Sequence, residues 1–267
     1  MNKLITSIQN SLVKEIVQLQ EKSRVRKKKE LFIIEGVREI SLALKGNYHV
    51  KSVWICKDII TLEKVNSLLG LKEETELIII SKEVYQKISH RKTTEGIIAI
   101  VKTKEFDLSS IELPPTPLIL IAEAPEKPGN IGALLRTADA ANLDAVIIAN
   151  PKTDLYNPNI IRSSVGCVFT TNIAMGTTDE IIDLLRQKNI NSYAAALNEN
   201  NIPYTEVNFK GASAIIVGTE STGLSDNWLN NSTKKIIIPM QGEIDSLNVS
   251  VSAAILIFEA KRQRNIN

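Results

Sequence analysis

Two neighbouring stretches near the C-terminus decide the reading of this chain: Ile216-Val-Gly-Thr-Glu-Ser-Thr-Gly-Leu-Ser225 and Ile238-Pro-Met-Gln-Gly-Glu-Ile-Asp-Ser-Leu-Asn-Val-Ser250. Each leaves a short apolar, strand-like run and passes into glycine and small polar residues. The second feeds residues 249–262, an apolar segment that reads as a closing helix. Backbone-permissive and small polar residues set between buried elements predict a ligand pocket.

Upstream of these stretches the pattern is strand–helix alternation. Residues 118–122, 145–149, 168–174, 192–197, 212–217 and 235–238 are apolar runs of strand length, and helical spacing separates several of them, as in 131–141, 159–164 and 178–188. Asn130 is placed to cap the first of these helices. Near-continuous apolar strands predict a parallel sheet covered on both faces. A similar but smaller alternation fills the N-terminal part, with strands at 31–34, 50–56, 77–80 and 96–101 and a helix capped by Ser81, which predicts a small α/β/α domain. Between the two, residues 102–117 hold Pro114, Pro115 and Pro117 and break the pattern. The predicted organisation is therefore a domain over 1–104, a linker over 105–116 and a second domain over 117–267.

Composition narrows the function. The chain has 267 residues, of which 43% are hydrophobic and 23% charged, enough for a full globular core. Aromatics are 4%, too few for base stacking to dominate nucleic-acid binding, and a net charge of +2 leaves only local basic patches to act. The strongest is Lys22-Ser-Arg-Val-Arg-Lys-Lys-Lys29, six basic residues in eight. It reads either as a solvated helix end or as a phosphate-binding surface that gains affinity by releasing counterions. Cys56 and Cys167 have no metal or redox spacing and read as reduced core thiols of a cytoplasmic protein, and no apolar run is long enough to span a membrane.

No P-loop and no G-x-G-x-x-G fingerprint occurs. The histidines are His49 and His90, both in the N-terminal part, so zinc and Ser-His-Asp chemistry lack their residues in the second domain, and no metal is expected. The polar groups left for chemistry are Arg, Asn, Glu and Ser, which suit positioning and activation of a substrate hydroxyl.

Three stretches carry a specific resemblance. Asn130-Ile-Gly-Ala-Leu-Leu-Arg-Thr-Ala138, the run 216–225 and the run 238–251 resemble, in order and approximate spacing, the three motifs of the SpoU/TrmH family of RNA ribose 2′-O-methyltransferases, of the SPOUT superfamily. Thr6-Ser7, Phe32-Ile-Ile-Glu-Gly36 and Glu95-Gly-Ile-Ile-Ala99 resemble that family's ribosomal-protein-like substrate-binding domain. The fold implied is a parallel α/β sheet whose C-terminal segment forms a trefoil knot, which base rates alone would never suggest. The resemblance also implies S-adenosylmethionine as methyl donor, held by Gly218, Ile238 and Leu247 with Leu197 and Met240 beside them. It casts Arg136 as the group acting on the ribose 2′-hydroxyl, with Asn130, Glu220, Ser246 and Asn248 completing the catalytic set. A guanidinium is a poor base, so positioning and charge stabilisation are its physical role.

Arg162, Ser163 and Ser164 resemble the loop that reaches the target nucleotide. Arg24, Arg26, Lys27, Lys28, Arg38 and Arg91 are RNA-contact candidates. The family often has Asp-Pro ahead of the motif asparagine, where this chain has Lys127-Pro128. The implied partners are RNA, ribosomal before transfer RNA, and a second copy of the chain. The alternatives are a transfer-RNA methyltransferase and an RNA-binding ribosome assembly factor without catalysis.

Overall fold

The structure, a computed structural model, describes residues 3–71, 75–90, 95–197, 201–219 and 221–264. Arg91, a candidate RNA contact, and Glu220, a candidate catalytic residue, lie outside the described residues.

The first ten elements are β1 (Lys3–Ile5), α1 (Ser11–Glu21), α2 (Ser23–Lys29), β2 (Leu31–Glu35), α3 (Val37–Lys45), β3 (Val50–Cys56), α4 (Leu62–Leu69), β4 (Glu76–Ile80), α5 (Lys82–Ile88) and β5 (Ile97–Lys102). There follow β6 (Leu118–Glu123), α6 (Pro128–Ala140), β7 (Ala145–Ala149), α7 (Pro158–Ser163), β8 (Ile173–Gly176) and α8 (Thr178–Gln187). The chain continues with β9 (Asn191–Ala195), β10 (Ile202–Pro203), β11 (Ser213–Val217), α9 (Asp226–Asn231), β12 (Lys234–Ile237) and α10 (Val249–Gln263).

The elements form two compact units, Met1–Glu105 with Asp154–Thr170, and Phe106–Thr153 with Thr171–Asn267. Residues 106–116, read from sequence as linker, thus belong to the second unit. Ile111 is buried in its core, and the Met175 amide donates to the Phe106 carbonyl at 2.7 Å.

The first unit is a five-stranded mixed sheet in the order β1-β4-β3-β5-β2, parallel through β3 and antiparallel beyond it. Asn10, Thr61 and Ser81 cap α1, α4 and α5 with side-chain oxygens, as expected for Ser81.

Residues 154–170 pack into this unit through aromatic and ionic contacts. Tyr156 stacks on Phe32 at 4.2 Å between centroids, and Phe169 stacks on the same ring at 5.7 Å. The Tyr156 hydroxyl accepts from the Lys104 amide at 2.8 Å and donates to the Lys104 carbonyl at 3.0 Å, while burial pushes its phenol pKa well up and keeps it neutral. This packing overturns the strand expected at 168–174. Val165 and Gly166 both take left-handed φ, 55° and 85°, Cys167–Phe169 forms a 3₁₀ turn, and the strand begins only at Ile173. A β-branched residue in that region is strained, so the surrounding contacts impose it.

Arg26 is the second correction. It sits in the basic run but is only 3% exposed. Its Nε donates to Asp154 Oδ2 at 2.6 Å, and its Nη1 donates to the carbonyls of Leu19 at 2.7 Å and Gln20 at 3.0 Å. It is a structural anchor for the 154–170 segment and has no surface to offer RNA. Arg24, Lys27 and Lys28 beside it are exposed.

The second unit is a seven-stranded sheet, β10-β12-β9-β11-β6-β7-β8, in which every pairing is parallel. One face carries Ile119, Ile121, Ile147, Ala214 and Ile216 and packs against Ile181, Ile182 and Leu185 of α8 and Trp228 of α9. Helices α6 and α10 pack on each other, and α10 also packs on β11 and β6. Thr177 and Glu180 form a capping box at the start of α8. At the far end of α10 the Arg264 guanidinium donates to the carbonyls of Phe209 at 2.7 Å, Thr116 at 3.0 Å, Pro117 at 3.1 Å, and Gly211. No described helix is long and apolar enough to cross a membrane.

Removing one member of a buried ion pair strands the other, at about 3–5 kcal/mol. Asp154→Ala is therefore expected to lower the thermal midpoint by roughly 6–20 °C, whereas Lys27→Ala changes it by under about 2 °C. Scanning calorimetry of the two variants beside wild type checks this. Equal, small shifts would return Arg26 to the set of solvated basic residues.

Candidate functional site

Because every strand of the second unit runs the same way, every loop leaving a strand's carboxyl end emerges on one edge of the sheet, the edge where open α/β sheets bind ligands. Gly218 directly follows β11, Ile238 directly follows β12, and Leu197 lies just past β9. Asn130 sits in the first turn of α6, which follows β6, and Asn248 is the residue that starts α10. Asn130 is inside the helix and not its cap: Pro128 takes the first helical position, where its fixed φ and missing N–H cost nothing, so the helix begins earlier than expected.

The first and third motifs meet directly. Asn248 Nδ2 donates to Asn130 Oδ1 at 3.2 Å across 118 residues of sequence. The Asn248 side-chain Oδ1 in turn accepts from the Ser250 amide at 3.0 Å and the Ser250 hydroxyl at 2.6 Å, which fixes its orientation while it caps α10. Ser246 is exposed, and its hydroxyl donates to Asp245 at 3.0 Å.

In the second motif the glycines serve the loop itself. The Thr219 and Gly223 backbones exchange two hydrogen bonds of 3.1 Å, and Gly223 takes a φ of 68°. A Cβ on Gly218 would lie 2.2 Å from the Gly223 carbonyl oxygen and 2.5 Å from the Leu224 nitrogen. Gly218 therefore has no room for any side chain, and the loop folds tightly over it. The Thr219 and Thr222 hydroxyls pair at 2.7 Å within it.

Ile238, Met240 and Leu247 are half-buried, and Leu197 is 65% exposed. Partly open apolar side chains at that edge are suited to flanking a planar ring. Two other concavities of this unit, of about 400 and 330 Å³, are lined by Glu206, Lys210 and Gln263 and by Asn191, Trp228 and Thr233. Both lie at the amino ends of strands, away from all three motifs.

Arg136 is exposed on α6 and makes no hydrogen bond or ion pair with the described residues. Six residues of helix separate it from Asn130, about 9 Å along the axis and about 120° around it. The two side chains therefore leave the helix in different directions.

Of the RNA-contact candidates, Arg38 and Arg162 are exposed, both in the first unit. The Ser163 hydroxyl donates to the Asn159 carbonyl at 2.6 Å. Ser164 is a further correction: it is 0% exposed, and its hydroxyl donates to the Ile161 carbonyl at 3.1 Å, so helix packing has taken the group that RNA would need.

The structure adds a polar network that sequence reading missed. Glu123 ends β6 and is bonded to Ser225 and Thr178, with Asn150 behind Thr178. Its signal is an acid closing the apolar run 118–122. Gly218→Ala is expected to force the Thr219–Gly223 pair apart and to weaken S-adenosylmethionine binding at least about tenfold, a change of about 1.4 kcal/mol. Titration calorimetry reads it, and wild-type affinity in this variant would mean the loop does not shape the pocket.

The family model described as SpoU rRNA Methylase matches residues 117–258, and the one described as MRM3-like substrate binding domain matches residues 10–99. The 23S rRNA (guanosine(2553)-2′-O)-methyltransferase RlmP of Bacillus subtilis (strain 168) is 30% identical over 97% of this chain and 99% of its own. A crystal structure of an RNA 2′-O ribose methyltransferase is 38% identical, covers 98% of this chain and 99% of its own, and superposes with a TM-score of 0.84. The AdoMet-bound rRNA methyltransferase of Sinorhizobium meliloti, 25% identical, superposes with a TM-score of 0.88 and covers 97% of each chain. With the family model spanning the whole parallel-sheet region and a relative matched from end to end, this chain belongs to the SpoU rRNA methylase family.

Proposed function

We propose that this chain methylates a ribose 2′-hydroxyl of ribosomal RNA, using S-adenosylmethionine, and works in the cytoplasm as a homodimer. The observation that carries the reading is the meeting of Asn130 and Asn248 at the carboxyl edge of a parallel sheet, the edge from which the Gly218 loop also leaves. The end-to-end match to a 23S rRNA methyltransferase and the substrate-binding-domain match favour ribosomal over transfer RNA.

Gly218, Ile238, Leu247, Met240 and Leu197 are the residues to hold S-adenosylmethionine, the loop backbone meeting its polar edges and the apolar side chains flanking its ring. When bound, this group supplies an electrophilic methyl. The chain's own work is orientation, which can contribute much of the rate for a single displacement. Asn130 and Asn248, locked on each other, fix the relative position of the first and third motifs. Arg136, always charged, steadies negative charge as the ribose hydroxyl loses its proton. Ser246 belongs to the same reading as a polar residue of the site's mouth, and Glu220 as the acid of the second motif, whose role is to orient Arg136. A knotted threading of the C-terminal segment is part of it too, supported by family membership.

Two features support a second copy of the chain. Val251, Ile255 and Phe258 form a stripe on α10, with Val251 46% and Phe258 45% exposed. Leu256, between them in sequence, points into the core at 0% exposure. Arg136 has no partner among the described residues and leaves α6 in a different direction from Asn130, which supports a role for it at a second copy's site.

On this reading, Arg136→Ala loses at least about 100-fold in methyl transfer while S-adenosylmethionine affinity stays within about threefold; a variant that turns over near the wild-type rate refutes the assignment. The exposed Lys27 and Lys28 supply phosphate contacts. Replacing both with Ala makes the slope of log affinity against log salt shallower by about 1.4–1.8. Filter binding to ribosomal RNA across a salt series measures it, and an unchanged slope assigns these lysines to solvent.

A further inference from the structure

Glu123 is a buried carboxylate that none of the three motifs includes. It is 6% exposed, and burying such a group is costly unless hydrogen bonds replace its water. Here three donors do so: the Ser225 amide at 2.8 Å, the Ser225 hydroxyl at 2.7 Å and the Thr178 hydroxyl at 3.3 Å. Thr178 is itself held by Asn150, whose side-chain amide donates to its hydroxyl at 2.8 Å. No Lys, Arg or His among the described residues forms an ion pair with Glu123.

The positions of these partners give the carboxylate its meaning. Ala122 is paired with Val217, so the next step along both strands brings Glu123 alongside Gly218, where the glycine loop begins. Ser225 is where that loop ends and α9 starts. Between them, among the described residues, the loop is closed by the Thr219–Gly223 pair and by its own hydroxyls. Immediately after Glu123, Ala124 takes a left-handed φ of 44° and donates to the Ala149 carbonyl at 2.8 Å. A strained residue over-determined by its neighbours is a mark of a site held in a set shape.

We propose that Glu123 is a positioning residue for the S-adenosylmethionine loop: by gripping Ser225 it holds residues 218–219 and 221–225 in the closed shape that the cofactor requires, without touching the reacting atoms. The assignment rests on the methyltransferase reading for the identity of the ligand, but not for the loop's shape. What matters is acceptor geometry. Gln at this position keeps a carbonyl oxygen for the Ser225 amide and presents an N–H that the rotatable Ser225 hydroxyl can accept.

The test uses the full-length chain with Glu123→Ala, Glu123→Gln and Ser225→Ala. Calorimetric titration with S-adenosylmethionine is expected to show about tenfold or greater weakening for Glu123→Ala, rescue to within about threefold of wild type in Glu123→Gln, and an intermediate loss for Ser225→Ala. A merely structural carboxylate would lower the melting temperature and leave the affinity of the folded protein unchanged, which overturns the proposal. If Glu123→Ala does not fold, Ser225→Ala decides, since it keeps the backbone amide bond and removes only the hydroxyl; wild-type affinity in it is equally fatal. Hydrogen exchange without cofactor separates this assignment from the methyltransferase reading. Amides of 221–225 exchange about tenfold or more faster in the weakened variants if Glu123 shapes the loop, and wild-type exchange there overturns the proposal whatever ligand the protein binds.

Discussion

The second unit depends on one constraint: its strands all run the same way. A parallel sheet needs a crossover between each pair of strands, so residues far apart in sequence leave the sheet at the same edge. That is how Asn130, Gly218, Ile238 and Asn248, drawn from three motifs spread over more than half of this unit, come to share one locality. Helix α6 on one crossover and α10 at the end of the chain then carry the two asparagines into hydrogen-bond contact.

At that edge, local shape is set by space as much as by charge. Gly218 is required because the Gly223 carbonyl occupies the volume a Cβ would take. The loop is thereby folded on itself before any ligand arrives, which lowers the ordering cost of binding. Arg136 shows the opposite condition. It is held by nothing among the described residues, as suits a charge whose partner comes with the substrate or with another subunit.

The parallel strands were legible in sequence because burial on both faces leaves near-continuous Ile, Val and Ala runs, as in 118–122 and 145–149. The motif glycines and asparagines were legible through the family resemblance. Arg26 was not: six basic residues in eight look alike, and only Asp154, 128 residues away, makes one of them a core residue. Ser164 was lost for a similar reason, since a serine in a short helix can return its hydroxyl to a carbonyl three residues back. The extended reading of 168–174 failed because Val168 and Phe169 are apolar on account of the first unit's core, and periodicity carries no label for which core a run serves. Glu123 escaped notice because a single acid after a strand looks like an ordinary turn until Ser225 and Thr178 are placed against it.

The central claim is the atom that receives the methyl group. Purified protein, incubated with ribosomal RNA and methyl-labelled S-adenosylmethionine, can be followed by complete digestion to nucleosides and mass analysis. The account predicts the label in a single 2′-O-methylnucleoside. Label on a base, or none incorporated by folded protein that binds the cofactor, would contradict it.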